Sequence, residues 1–289
     1  MRAKAKKAVA LGFFDGVHIG HQALLRNLLL QKEEIKCAYT FLNHPQSFFD
    51  SGRDQELLCS ARERERLLKE CGVHEVIMAP FDDEMAKMPA EDFALFVLEG
   101  LDAGSIVVGN NYRFGKGARG TPQMLADFAR MRGARLIEAE TVLYEGEPVS
   151  STRIRNALKK GDIILANAML GRSYSVEGIV GEGRKIGRTL NIPTANIPVP
   201  ENRALPMDGV YKGIVELEGA SWKAVVNIGK NPTVGGESRL IESHLLGFAG
   251  DIYGKEIKVS FQRRIRGEIM FSSKEELKDQ ILKDINSAL

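Results

Sequence analysis

Apolar residues along the first 140 or so positions fall into two alternating kinds of run. Short, nearly continuous β-type runs occupy residues 8–13, 36–42, 75–80, 105–109 and 135–142. Between them lie stretches with helical spacing. One opens near Gly20 and carries Ala23-Leu24-Leu25 and Leu28-Leu29-Leu30; the others are residues 61–71, ending at Gly72, residues 90–98, opened by Pro89, and residues 122–131, closed by Gly133. Proline at the start of a helix and glycine just past its end are its usual punctuation, because proline lacks only a donor that is unpaired there and glycine accepts a left-handed turn. Continuous apolar strands alternating with helices of about ten residues predict a parallel sheet covered on both faces, an α/β domain.

Residues 153–160 and 162–170 read as two short helices separated by Gly161. After Gly171 the texture changes. Gly, Pro and Asn punctuate β-rich runs at 174–180, 209–217, 222–228, 240–248 and 255–264, and one helix closes the chain at about 273–286, with Ser272 or Ser273 as its N-cap. Short strands at this spacing predict a small closed barrel or sandwich. The expected division is therefore 1–170 and 171–289, with no internal repeat.

A length of 289 residues suits two such domains, and 44% hydrophobic with 27% charged residues is an ordinary globular profile. The net charge of +2 argues against nucleic acid or an anionic membrane as partner. The three cysteines, Cys37, Cys59 and Cys71, form no CxxC pair, which argues against a disulfide framework or a zinc site. No apolar run approaches the ~20 residues that span a bilayer. The basic start at 1–7 is followed by an apolar stretch only to Phe14, so no signal peptide is expected and a cytoplasmic setting is.

The chemistry begins at Leu11-Gly-Phe-Phe-Asp-Gly-Val-His-Ile-Gly-His-Gln22, which leaves a strand and opens a helix. A helix N-terminus offers unpaired N–H groups and a positive dipole end to phosphate. Gly12 and Gly16 permit close backbone approach, and His18 and His21, three apart, share one side of the first turn, where both can donate to triphosphate oxygens. A second loop-to-helix segment, Val149-Ser-Ser-Thr-Arg-Ile-Arg155, supplies the hydroxyls of Ser150, Ser151 and Thr152 and the guanidinium forks of Arg153 and Arg155. Taken singly, the first is equally a capped helix with two histidines, and the second an ordinary Ser/Thr cap.

Further on, residues 171–188 form a strand feeding a Gly-rich basic loop in which Gly183, Lys185 and Gly187 can cradle phosphate. Pro193-Thr-Ala-Asn196 follows. On an extended segment Thr194 and Asn196 point the same way, and two neutral oxygens beside ATP phosphates suit Mg²⁺. Alone, these read as a hairpin and a turn.

Together the first two segments resemble the HxGH and ISSTxxR motifs of the nucleotidyltransferase superfamily. With Thr40-Phe41, His44-Pro45, Pro80-Phe81-Asp82 and Val108-Gly-Asn-Asn-Tyr-Arg-Phe-Gly115, the chain resembles the FMN adenylyltransferase domain of bacterial bifunctional riboflavin kinase/FAD synthetases. Where that family commonly reads TFDPHP, this chain has Thr-Phe-Leu-Asn-His-Pro at 40–45, and Tyr112 stands in place of Phe. The ordered set Gly171-Arg-Ser-Tyr174, Pro193–Asn196, Gly209-Val-Tyr211, Asn227-Ile-Gly229 with Pro232-Thr233, Glu242-Ser-His244 and Tyr253-Gly-Lys255 is similar to the same family's riboflavin kinase domain; Ser243 and Gly247 replace the common Val and Asp.

The resemblance implies a Rossmann-like first domain, a six-stranded Greek-key barrel with a closing helix, and two reactions: riboflavin to FMN, then FMN to FAD with release of pyrophosphate. It implies ATP and Mg²⁺, with riboflavin, FMN and FAD as substrate, intermediate and product. It carries over His18, His21 and Glu242 as catalytic groups, Glu242 as base. Gly12, Phe13, Phe14, Asp15, Gly20, Asn111, Ser150, Ser151, Thr152 and Arg155 would hold nucleotide in the first domain, and Gly183, Lys185 and Gly187 in the second. Tyr112, Phe114 and Arg266 would face flavin, and Thr194 and Asn196 the metal. Two other readings stand beside it: a nucleotidyltransferase for another phosphorylated cofactor precursor, and a non-catalytic flavin-binding regulator.

Overall fold

Five strands near the start form one all-parallel sheet: β1 (Lys7–Leu11), β2 (Ile35–Phe41), β3 (Glu75–Ala79), β4 (Ala103–Gly109) and β5 (Arg135–Ala139), in the order β3-β2-β1-β4-β5. The computed structural model describes residues 6–49, 55–181, 192–200, 202–233 and 236–289. The chain divides into two units, Met1–Ser151 and Thr152–Leu289.

Strands buried on both faces explain the continuous apolar runs. Alternate residues serve opposite layers. Val9, Leu11, Cys37, Tyr39, Ile106 and Val108 pack on one side with Phe93, Val97 and Leu125. Ala8, Ala10, Ala38 and Val107 pack on the other with Leu24, Leu25, Leu28 and Leu68. The alanines on that second face leave room for the leucines of α1 (Ile19–Leu29). The short helix α2 (Pro45–Phe49) follows β2. α3 (Ala61–Glu70) begins with a full capping box, Ser60 accepting from Glu63 N and Glu63 answering at Ser60 N. α4 (Asp83–Lys87) follows β3, and α5 (Ala90–Leu95) runs into a π turn at Phe96–Gly100. Thr121 caps α6 (Pro122–Met131).

Two expectations shift at their edges. The strand expected over 8–13 stops at Leu11, because Phe14 takes a left-handed conformation (φ 57°) and turns the chain. The strand expected over 135–142 stops at Ala139, and a hairpin of β6 (Leu143–Tyr144) and β7 (Glu147–Pro148) follows, turning through Glu145 and Gly146 at positive φ. The helices α2 and α4, five residues each, are too short to show a period in sequence.

The second unit takes nearly all of α7 (Ser151–Lys159) and α8 (Ile163–Leu170) along with the sheet that follows. Six strands, β8 (Tyr174–Ile179), β9 (Ala195–Pro198), β10 (Gly209–Leu217), β11 (Ala220–Thr233), β12 (Gly236–Leu245) and β13 (Glu256–Arg266), pair antiparallel in the order β8-β13-β10-β11-β12-β9. A bridge between Gly181 and Asn196, with Gly181 N donating to Asn196 O at 2.9 Å, joins the two ends into a barrel. Its interior holds Tyr211, Val215, Val226, Ile228, Ile241, Val259 and Phe261. β11 runs well past the expected 222–228, and β9, read in sequence only as an extended segment, is the strand that completes the closure.

α9 (Lys274–Ala288) lies on the outer face over Val210 and Val225, through Ile285 and Ala288. Asp284, 2% exposed, fixes it there by accepting from Arg266 Nε (3.0 Å) and Nη2 (2.7 Å).

One interior position departs from the apolar pattern. Ser243 is fully buried, opposite Val226 and Ala195, and its hydroxyl has no partner among the described residues. A buried hydroxyl that makes no hydrogen bond costs about 1 kcal/mol or more. Ser243→Ala should raise the stability of the barrel by about 1 kcal/mol. Asp284→Ala strands the Arg266 charge and should lower it by about 3 kcal/mol. Trp222, the sole tryptophan, lies in the barrel against Phe248. Its fluorescence during denaturant unfolding reads both outcomes.

Candidate functional sites

In the first unit the chain leaves β1 and enters α1 through a strained loop. Phe14 (φ 57°) and the β-branched Val17 (φ 39°) both sit in left-handed conformations that cost such residues about 1–3 kcal/mol each. The surroundings hold it. Asp15, 2% exposed, accepts from Leu58 N (2.8 Å) and Cys59 N (3.3 Å). Gly16 N donates to Cys59 Sγ (3.1 Å), and Gln22 Nε2 donates to Val17 O (3.0 Å). Thr40 Oγ1 donates to Phe13 O (2.9 Å), and Ser151 Oγ donates to Asp15 O (3.0 Å). Gly12 lies against the ring of Phe14, which is buried.

This scaffold presents the two histidines. His18 is the N-cap of α1, its Nδ1 accepting from His21 N at 3.3 Å. A neutral imidazole accepting at Nδ1 carries its proton on Nε2, so the ring is a donor on its other edge. The rings of His18 and His21 stack with centroids 3.6 Å apart and planes 16° apart. Gly20 lets them do so: a Cβ there would meet His18 Cε1 and Nδ1 at 3.1 Å. Imidazole edges at a helix N-terminus, beside the C-terminal ends of parallel strands, suit an anion.

The other expected residues of this unit are placed unequally. Asn111 and Tyr112 lie in the turn after β4, the strand beside β1 where the sheet order reverses. Burial raises the Tyr112 phenol pKa, so it stays protonated. Phe114, 6% exposed, belongs to the core: it stacks under Tyr112 (5.8 Å) and against Phe93 (5.3 Å). Ser150 is exposed just before α7, and Ser151 opens that helix. Thr152 and Arg155 follow on α7 in the second unit, where Arg155 Nη2 donates to Thr152 Oγ1 (3.2 Å).

Two features of the first unit escape sequence reading. Arg64 is fully buried, its guanidinium 4.3 Å from the centroid of the Phe13 ring and donating to Phe41 O and to Leu42 O (3.3 Å). Phe41, Phe81, Phe48 and Phe49 form an edge-to-face cluster with centroids 5.1–5.9 Å apart, and Phe49 is 61% exposed. Adjacent phenylalanines in a polar stretch after Pro45 were the available signal.

In the second unit strand register assembles a row. Arg266 lies opposite Val210, Val210 opposite Asn227, Asn227 opposite Glu242, and Glu242 opposite Asn196. Directly opposed residues share a face of the sheet. Three expected residues, Asn196, Glu242 and Arg266, thus fall in one line across five strands. Asn196 is 5% exposed; its Nδ2 donates to Thr194 O (3.3 Å), and its Oδ1 has no partner among the described residues. A buried amide oxygen left open, beside the hydroxyl-bearing Thr194, fits a hard oxygen-seeking cation that keeps most of its waters. His244 Nδ1 lies 2.8 Å from Pro193 O and ties β12 to that segment. Arg266 spends Nε and Nη2 on Asp284 and Nη1 on Gly267 O (2.9 Å), which makes it an anchor. Gly183, Lys185 and Gly187 lie outside the described residues.

Comparisons with known proteins cover both units. Residues 1–153 match the family described as FAD synthetase, and residues 170–289 the family described as riboflavin kinase. The bifunctional riboflavin kinase/FMN adenylyltransferase of Pseudomonas fluorescens is 36% identical, over 100% of this chain and 94% of its own. That of Bacillus subtilis strain 168 is 33% identical, over 99% and 92%. A crystal structure from Streptococcus pneumoniae, solved under the name of a macrolide-efflux protein, is 32% identical with a TM-score of 0.89, covering 99% of this chain and 94% of its own. Among the described residues of this chain, no helix is long and apolar enough to cross a membrane. With each unit matched by its own family and full-length relatives above 30% identity, the chain belongs to the bifunctional riboflavin kinase/FMN adenylyltransferase family.

Proposed function

We infer that this chain makes flavin cofactors in two steps. The barrel transfers the γ-phosphoryl group of ATP to riboflavin, giving FMN and ADP. The α/β domain transfers the AMP moiety of a second ATP to FMN, giving FAD and pyrophosphate. The observation that carries this reading is the row Arg266–Val210–Asn227–Glu242–Asn196, which puts a carboxylate and an open amide oxygen on one face next to Gly181, where the Gly-rich segment begins. We assign the activities to residues 1–170 and 171–289. A cytoplasmic setting fits three cysteines that form no disulfide with one another.

In the kinase domain Glu242 is the base. It takes the proton of the terminal ribityl hydroxyl as that oxygen attacks the γ-phosphorus. Thr194 and Asn196 would hold Mg²⁺, which when bound neutralises charge on the ATP phosphates.

In the adenylyltransferase domain His18 and His21 donate to the triphosphate and stabilise charge building on the α-phosphorus and on the departing pyrophosphate. Gly12, Phe13, Asp15 and Gly20 hold these donors in place, and Ser150, Ser151 and Asn111 complete the nucleotide contacts of this unit. Phe14 acts from below, as packing. Tyr112, supported by Phe114, and the exposed Phe48–Phe49 cluster offer aromatic faces for the isoalloxazine ring. The rate comes from positioning two anions and balancing their charge, with no covalent enzyme intermediate.

Incubation with riboflavin, ATP and Mg²⁺, followed by chromatographic separation, should show FMN and then FAD. ATP consumption without flavin dependence would favour another phosphorylated acceptor, and tight flavin binding without turnover a regulator. His18→Ala should lower FAD formation by about 10²–10³-fold and leave FMN formation intact. Glu242→Ala should lower FMN formation by about 10²–10⁴-fold and leave adenylylation of supplied FMN intact.

A further inference from the structure

Several charged residues of α3 serve as on any surface helix. Lys69 pairs with Glu65 (2.7 Å) and Arg66 with Glu70 (3.4 Å), all four exposed, and Glu63 closes the capping box. Arg64 does the opposite. It shares the inward face with Leu68, four residues on, and both are fully buried. An apolar side chain would fill that position without the loss of water that a guanidinium suffers there. Nη2 donates to Phe41 O and to Leu42 O (3.3 Å). Nε and Nη1 are buried with no hydrogen-bond partner, and no carboxylate forms an ion pair with Arg64, among the described residues. Two carbonyls do not account for a buried full charge.

The charge lies against the nucleotide loop. Arg64 Cζ stands over the Phe13 ring, 4.3 Å from its centroid, and Asp15 follows Phe13 by two residues. Asp15 is 2% exposed and accepts from Leu58 N and Cys59 N, the residues that lead into α3. A carboxylate and a guanidinium are thus both buried on adjoining segments, with no ion pair between them. Burial pushes the Arg64 pKa down, and Cys59 and Asp15 act to raise it. An arginine stays charged at neutral pH regardless.

The loop between β1 and α1 needs Asp15, whose bonds to Leu58 N and Cys59 N hold a strained backbone. A lone carboxylate buried there would also repel a triphosphate, because little water or salt is present to screen it. We propose that Arg64 is a positioning residue for adenylyl transfer, a buried counter-charge that cancels Asp15 and so lets the loop carrying His18 and His21 accept a polyanion. This rests on the reading of the first unit as an FMN adenylyltransferase. Arg64 acts through its charge alone: it touches neither ATP nor FMN, and no atom passes to or from it.

The test measures kcat and the KM for ATP during FAD formation from supplied FMN, which leaves the kinase step out. The chains compared are the wild type, Arg64→Met, Arg64→Lys, Asp15→Asn and the double variant Asp15→Asn with Arg64→Met. Arg64→Met leaves the Asp15 charge uncancelled and should raise the KM for ATP by about tenfold or more. Arg64→Lys keeps the charge and should stay within about threefold of the wild type. Asp15→Asn removes the repelling charge and should not raise the KM for ATP. The double variant restores the balance and should return the KM to within about threefold of the wild type, a coupling that independent sites do not show. The ratio of Arg64→Met to wild-type KM should hold as salt is added, since buried charges are screened little.

A residue needed only for packing gives the reverse ranking, with Met tolerated better than Lys and the double variant worse than either single change; that result would overturn the proposal. So would a KM for ATP unchanged by Arg64→Met, or a ratio that falls to one with salt, which would mark a surface effect. If Arg64→Met does not fold by circular dichroism, the Lys and double variants carry the decision, and a double variant that also fails to fold would overturn the proposal. A wild-type chain that makes no FAD from supplied FMN would instead sink the adenylyltransferase reading on which it rests.

Discussion

Closure of the second sheet constrains every register in it at once. The bridge from Gly181 to Asn196 joins the first strand of the barrel to β9, so no strand can slide without opening the ring. The side-chain period of a strand is two. Moving β12 by one residue would carry Glu242 into the apolar interior and bring Ser243 out. Ser243 shows the tightness of this constraint: it stays fully buried with an unpartnered hydroxyl, because no single residue can leave while its neighbours Ile241 and Leu245 hold the core. The same constraint aligns Asn196, Asn227, Glu242 and Arg266 on one outer face.

In the first unit the corresponding constraint is a loop that would not hold its shape alone. Phe14 and Val17 adopt conformations that bulky and β-branched residues avoid. Asp15 is almost wholly buried with its carboxylate accepting from two backbone amides, and Thr40 and Ser151 donate to the carbonyls of Phe13 and Asp15. Strain held by such over-determination keeps the His18 and His21 rings stacked at the end of α1 before any ligand arrives. Positioned donors are effective because they need not reorganise during reaction. Arg64, buried against Phe13, ties this loop to the carbonyls at the end of β2.

Both sites therefore use strands differently. The parallel sheet exposes the ends of its strands, and the site proposed for nucleotide lies in the loops beyond β1 and β4. The barrel exposes a flank, and the site proposed for phosphoryl transfer lies along the ladder itself. Arg266 illustrates the second case. In this structure its three guanidinium nitrogens serve Asp284 and Gly267 O.

How far each site was legible follows from the range of the interactions that build it. The parallel sheet, the β-rich character of the second half and the His18-Ile-Gly-His21 turn could all be read from residues within a dozen positions of one another. Their causes are local: a two-residue or 3.6-residue period, a cap, a glycine between two rings. Motif order added Glu242, Thr194 and Asn196 through family resemblance. What no local pattern contained was the opposition of Asn227 to Glu242, the burial of Phe114, the capture of Arg266 by Asp284 and the approach of Glu268 to Gly229. Those depend on strand register and helix docking. Register is settled collectively, by every strand of a closed sheet burying one face at the same time, and only the folded barrel decides it.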